Sequence, residues 1–430
     1  MAVDVQTETV RSTALRVWAL LLGMGLLLAG AGLQASLLGL VSEDSGFSST
    51  VTGVIMTAYY AGFLLGSNVA ESFISKVGHV RTFAALASLG SVAILVHGLF
   101  IDPAVWSAMR FVTGLSFAGL YVVTESWLNR ETTSQNRGGV LAVYMIVTHT
   151  GLAGGQSLLI VAPSSGLVLY IIASIILSIA VVPILLSTTP QPQIEQDSER
   201  LGLLALWKIT PLGAAGCFFA GVASGIMFGM GAVYIRQLGF GVGMISAFMA
   251  AIMLGGAVFQ WPVGKLSDTF DRRHVILGVA LATSASAAVL HLTTLSETGL
   301  TIAGFVLGGL ASTLYPLSLS YANDWFNADQ MVSASNGLVT FYGAGALFGP
   351  LGTGVLMGAM GPVGFVVYIV ALMLGVAAFT AYRMTLNDGP DSQEDFLYAP
   401  SAIGVNEVWA EAAAEAAEES NEDEASPRRD

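Results

Sequence analysis

Of the side chains that can carry charge inside long apolar runs, Arg110, Glu125 and His149 set the chemistry open to this chain. A guanidinium stays charged at any accessible pH. Within a membrane-like run, Arg110 needs either a wet cavity or a partner. It is a candidate to hold a substrate anion or to modulate a nearby acid; the alternative is that its stem snorkels to the outer surface. Glu125, in ESWLNR, has three readings: a partner for Arg81 at a helix end, a proton carrier, or an exposed helix terminus. His149, between Thr148 and Thr150, titrates near neutrality and is a coupling candidate, unless it only packs through a hydrogen bond. At helical spacing Arg110, Gly114, Phe117, Tyr121 and Glu125 share one face. The amides Gln34, Gln156 and Gln260 read as cavity ligands or as glue between helices. Tyr121, Tyr315 and Trp261 read as walls of an amphipathic pocket or as lipid-facing anchors.

Other chemistry is excluded by what the chain lacks. Its single Cys217 lies in an apolar run, and none of its five histidines has metal-ligand spacing, so neither a disulfide nor a metal centre is expected. No phosphate-cradling GxxxxGK[ST] loop occurs, which argues against ATP-driven work. No enzymatic activity and no cofactor are expected. The net charge of −13 is concentrated after Leu386: from Asp388 onward there are 13 acidic residues against Arg428 and Arg429. The charge is therefore a property of a tail, and no nucleic-acid partner is implied.

The elements that must position these residues are membrane helices. The chain is 54% hydrophobic with a mean hydropathy of +0.72, and apolar stretches long enough to cross a bilayer recur throughout. Twelve spans are expected, near 15–40, 51–75, 80–100, 104–129, 138–161, 165–187, 209–238, 243–266, 273–293, 298–324, 331–358 and 361–384. With the N-terminus inside, 14 of the 16 Lys and Arg fall on the cytoplasmic side, which places both termini there. The expected organisation is a cytoplasmic segment 1–14, a six-helix bundle 15–187, a linker 188–208, a second bundle 209–384 and an acidic, largely disordered tail 385–430.

The two bundles repeat one another. At an offset of 194, FVTGLSFAGLYVVTESWLN matches FVLGGLASTLYPLSLSYAN, setting Gly114 on Gly308 and Tyr121 on Tyr315. The same offset sets Gly151 and Gly155 on Gly345 and Gly349, and an offset of 193 sets Gly62 on Gly255 and Gly46 on Gly239. Six spans per half make the halves point the same way, related by a pseudo-twofold axis along the membrane normal.

The loop GKLSDTFDRR holds five charged residues in ten and resembles the G-x-x-x-D-x-x-G-R-[RK] signature of the major facilitator superfamily. Gly264, Asp268, Arg272 and Arg273 fit it, and Asp271 replaces the second Gly. Arg110-x-x-x-Gly114 resembles a second motif of that family, while the span 5 antiporter signature is incomplete because Gln156 follows Gly155. ESWLN and GHVR resemble the YcaD-like branch. The resemblance implies an all-α, twelve-helix secondary-active transporter of a small organic solute, coupled to protons or another ion. It would be a monomer in a bacterial inner membrane, with span 4 lining a central cavity. A facilitative uniporter, and a non-transporting sensor acting through the tail, remain open. The charged loop is expected to form a latch in which Asp268 faces a helix end and Arg272 or Arg273 pairs with Asp324 when the cytoplasmic ends close. The alternative is that these charges only fix topology.

Overall fold

A computed structural model describes residues 10–132, 134–186, 202–292, 296–326 and 328–386. The acidic tail and most of the expected linker lie outside the described residues. A short α1, Val10–Arg16, precedes six long helices: α2 Trp18–Asp44, α3 Ser49–Val77, α4 His79–Leu99, α5 Pro103–Glu131, α6 Ser134–Ser157 and α7 Val168–Leu186. A short α8, Leu203–Ile209, leads into a second six: α9 Pro211–Gln237, α10 Val242–Thr269, α11 Arg272–Leu292, α12 Glu297–Asn323, α13 Ala328–Met360 and α14 Val363–Leu386. The long helices are the twelve expected spans. Among the described residues, eleven of these helices are long and apolar enough to cross a membrane by length and composition.

Local chemistry sets the helix ends. Asp102 accepts from the amides of Ala104 and Val105 at 2.9 and 3.0 Å, and Pro103 opens α5 where no amide is needed. Ser296 caps α12 by accepting from the Gly299 amide at 3.1 Å. Gly46 and Gly239, one repeat apart, both take positive φ (78° and 88°) in the turns after α2 and α9. Gly361, at φ 68°, allows α13 and α14 to be joined by only two residues.

The sequence repeat is a repeat of contacts. Within the first bundle α3 packs on α5, α2 on α6 and α4 on α7; within the second the equivalent pairs are α10 on α12, α9 on α13 and α11 on α14. A Cβ on Gly62 would strike the Phe111 carbonyl, and one on its repeat mate Gly255 would strike the Phe305 carbonyl, one repeat from Phe111. Gly155 on Ala29 and Gly349 on Val222 obey the same offsets. Without side chains at these points, helix backbones approach closely enough for dispersion to hold them together where lipid offers no hydrophobic drive.

The bundles meet through α3 with α13, α6 with α10, and α2 with α9. Two ends can be told apart. The basic end carries Lys76, Arg81, Arg130, Arg272, Arg273 and Arg383; the far end carries the turns at Gly46 and Gly239. The contacts between bundles run from mid-helix to the far end. Thr57 donates to the Leu347 carbonyl at 3.2 Å and Thr50 to the Gly354 carbonyl at 3.3 Å. Ser246 donates to the Gln156 carbonyl at 2.7 Å. At the tip, Arg236 on α9 reaches Asp44 on α2 at 2.6 Å, and Gln237 donates to Ser49 at 2.9 Å and to Glu43 at 3.2 Å.

Candidate functional site

Between the bundles lies a cluster of charged and aromatic side chains. Arg110 is only 5% exposed, on the far-end half of α5, and its guanidinium sits 4.4 Å from the ring centre of Tyr59 on α3. It does not snorkel to a surface. Tyr59 packs edge-on to Tyr60 (5.3 Å between ring centres) and against Phe63, which in turn meets Tyr121 edge-on at 6.2 Å. From the second bundle, Tyr315 and Tyr342 stand 4.8 Å apart, and Tyr342 lies near Tyr59, Tyr60 and Tyr121. The cluster thus draws on α3 and α5 of one bundle and α12 and α13 of the other.

Glu125 closes the cluster on the side of the basic end. Its side chain is fully buried, and the Tyr144 hydroxyl on α6 donates to one carboxylate oxygen at 3.2 Å. It is also near Tyr121 and Tyr315. This corrects the expected Arg81–Glu125 pair: Arg81 is exposed at the start of α4, while Glu125 faces inward from α5. A fully exposed helix end is excluded for the same reason. At roughly 1.5 Å per residue, the fifteen positions between Arg110 and Glu125 separate a cation and a carboxylate by about 22 Å along one helix.

The remaining candidates divide. Ser36 donates to the Gln156 side-chain oxygen, joining α2 to α6. Gln34, Gln156 and Gln260 are buried, and each has an amide nitrogen with no hydrogen-bond partner among the described residues. His149 donates from Nδ1 to the Met145 carbonyl of its own helix at 3.0 Å. Trp261 is a correction: its side chain is 65% exposed on the outer face of α10, with the Lys265 ammonium 5.8 Å from its ring, so it does not line the cluster beside Gln260. The residue after a buried one on a helix points about 100° away, so Trp261 faces outward where Gln260 is buried.

The charged loop holds the expected pair of Arg272 with Asp324 but not its expected dependence on closure. Arg272, fully buried, binds Asp324 directly, donates to the Ser320 carbonyl at 3.2 Å and stands 3.9 Å from Asp268. Arg273 instead folds back on Asp271 at 2.6 Å. Partial burial pushes the Asp271 carboxyl up, and the Arg273 hydrogen bonds and charge outweigh it, holding it below the usual carboxylate range. Arg272 and Asp324 belong to α11 and its neighbour α12, so their pair forms inside one bundle. It does not require the two bundles to approach, and the expectation that it forms only on closure fails for that geometric reason. Among the described residues, Arg236–Asp44 is an ion pair that joins the bundles, at the opposite end.

Reading the sequence missed Tyr59, Tyr60, Tyr144 and Tyr342. A signal was present: tyrosines of membrane helices belong at the interfaces, and these sit well inside their spans.

Comparison with known proteins agrees with this architecture. A model of the Major Facilitator Superfamily matches residues 20–255 and 212–402. The MFS-type transporter YcaD of Escherichia coli (strain SE11) is 31% identical over 345 residues, covering 79% of this chain and 88% of that protein; YcaD of Shigella sonnei (strain Ss046) matches to the same extent. Among solved structures, the nucleoside transporter NupG superposes with a TM-score of 0.71 at 12% identity, covering 86% of this chain and 98% of that one. A bacterial homologue of the human lysosomal transporter Spinster, in an inward-facing and occupied conformation, superposes at 0.69 with 14% identity, covering 86% and 96%.

Proposed function

Because this chain belongs to the major facilitator superfamily, in its YcaD-like branch, we propose that it carries a small organic solute across a bacterial inner membrane by alternating access, driven by protons. Transmembrane transport is the common activity of the family. The finer reading rests on one observation: among the described residues, the hydrogen bonds and the ion pair that join the two bundles lie toward the far end, with a charged aromatic cluster between the bundles. The positive-inside bias puts the basic end in the cytoplasm, and both termini with it. The described contacts are then those of a pose closed to the outside.

In this account Arg236–Asp44 and the Gln237 hydrogen bonds are the outer clasp. They must separate when α2 and α9 part, and the Thr57–Leu347 and Ser246–Gln156 bonds must slide or break. Arg272–Asp324 keeps α11 and α12 moving as one body in both poses. Glu125 carries the proton: its buried carboxylate faces the cluster, and the Tyr144 hydroxyl holds it in place when ionised. The protein works as a monomer, since one chain supplies both bundles.

The test is accumulation of radiolabelled small organic solutes in vesicles reconstituted with the full chain, with and without an inward proton gradient. Gradient-dependent accumulation is expected. Equal rates with and without the gradient would replace proton coupling by facilitated uniport.

A further inference from the structure

The Arg110 guanidinium is a permanent charge held nine-tenths buried with no acidic partner among the described residues. Its titratable neighbours are Tyr59, Tyr60 and His97, and its Nε has no hydrogen-bond partner among the described residues. Burying a charge without a counter-charge costs several kcal/mol even after relaxation. A ring face at 4.4 Å offsets part of that cost and leaves Nε without a hydrogen-bond partner among the described residues. Such a group calls for water or a partner of negative charge, and a bound anion would supply the second.

We infer that Arg110 is the anion-binding residue of this transporter and that its solute is a small monocarboxylate with an apolar or aromatic body. The inference rests on the transport reading of the same cluster. A planar guanidinium matches a carboxylate through two parallel hydrogen bonds. Tyr59, Tyr60, Phe63 and Tyr121 supply ring faces and hydroxyls for the body of such a molecule. Among the described residues of the cluster Arg110 is the permanent cation, so one negative charge is matched. A phosphomonoester carries roughly −1.5 to −2 at neutral pH and would leave charge unbalanced in a low-dielectric site. A neutral solute would leave Arg110 as it stands.

Thermal unfolding of the purified full-length protein tests this with three matched pairs: benzoate and benzamide, phenylacetate and phenylacetamide, hexanoate and hexanamide. At least one acid is expected to raise the unfolding temperature where its amide does not. Arg110→Gln should weaken that acid by roughly ten- to a hundredfold, the value of a hydrogen bond to a charged group, and Arg110→Lys should fall between. Without ligand, Arg110→Gln should unfold at the wild-type temperature or above it, because the unpaired charge is gone. Acids and amides acting alike, no acid acting, or an acid response that survives Arg110→Gln would each overturn the inference. An Arg110→Gln protein that unfolds early without ligand would also overturn it, by making the arginine a structural partner. The transport reading fails separately. If a neutral solute opens the Arg236–Asp44 clasp while no carboxylate binds, the anion class is wrong and transport stands; if carboxylates bind and the clasp never opens, the reverse holds.

Discussion

A buried carboxylate with a tyrosine hydroxyl on one oxygen can change charge only if a proton reaches it, and this fixes what substitutions at Glu125 should do. Glu125→Gln, which keeps size and removes the charge change, should abolish gradient-driven accumulation while leaving exchange of preloaded solute intact, read by counterflow. Loss of both would make Glu125 structural. Tyr144→Phe should reduce accumulation without abolishing it. Arg272 and Asp324 belong to a different class. Removing one partner of a fully buried pair strands the other, so Arg272→Ala should cost on the order of 3–5 kcal/mol, seen as a fall in unfolding temperature or loss of folded protein. Asp271 has a depressed folded-state pKa; its contribution is present above the ordinary carboxylate range and is lost only as pH falls through that lower value. A pH profile of transport near neutrality should therefore be unchanged in Asp271→Asn. At this scale the sequence was partly legible. Charge inside an apolar run singled out Arg110 and Glu125, because such placement is costly anywhere. Partners were not legible: Arg81 and Glu125 lie at neighbouring helix ends in the chain, yet one points to solvent and the other to the cluster.

At the scale of helices, the glycines at repeat positions decide how closely elements approach. Gly62→Ala would drive a methyl into the Phe111 carbonyl, and Gly255→Ala would do the same at the Phe305 carbonyl. Each should destabilise its own bundle by roughly 1–3 kcal/mol, the usual cost of overpacking, measured by thermal unfolding in detergent. The two effects should be similar, because the sites are equivalent by the repeat. Gly278 meets nothing within 4 Å, and Gly278→Ala is the control expected to change little. Helix limits were legible because a bilayer enforces length and composition together: the span expected at 298–324 is observed at Glu297–Asn323. The two-residue join at Gly361 was legible as a break and not as a turn, since φ is a backbone property that Gly permits but does not announce. Helix α6 shows the opposite case. Its polar residues could not be given partners from sequence, and it is placed between α2 and α10, where Gln156 and Tyr144 make bonds inside the protein.

At the scale of the whole molecule, two like bundles whose described bonds to one another lie toward one end can exchange that end for the other by rocking. The repeat and the even span count made this arrangement legible from sequence. Which end is closed was not, because it depends on contacts between residues some 190 positions apart, such as Asp44 with Arg236. Arg236→Ala should weaken the far-end seal and shift the population toward the pose open there, with little effect on folding, since the pair is half-exposed. The most direct measurement uses pairs of spin labels at both ends of the full chain in lipid vesicles: Ser45 with Leu238 beside the clasp, and Val77 with Phe270 at the basic end, all four exposed. The native Cys217 is buried and does not compete for label. The account predicts two distance populations in each pair, coupled in opposite senses: lengthening at Ser45–Leu238 accompanies shortening at Val77–Phe270 when solute or a proton gradient is applied. Distances that stay fixed at both ends, or that lengthen together, would contradict it.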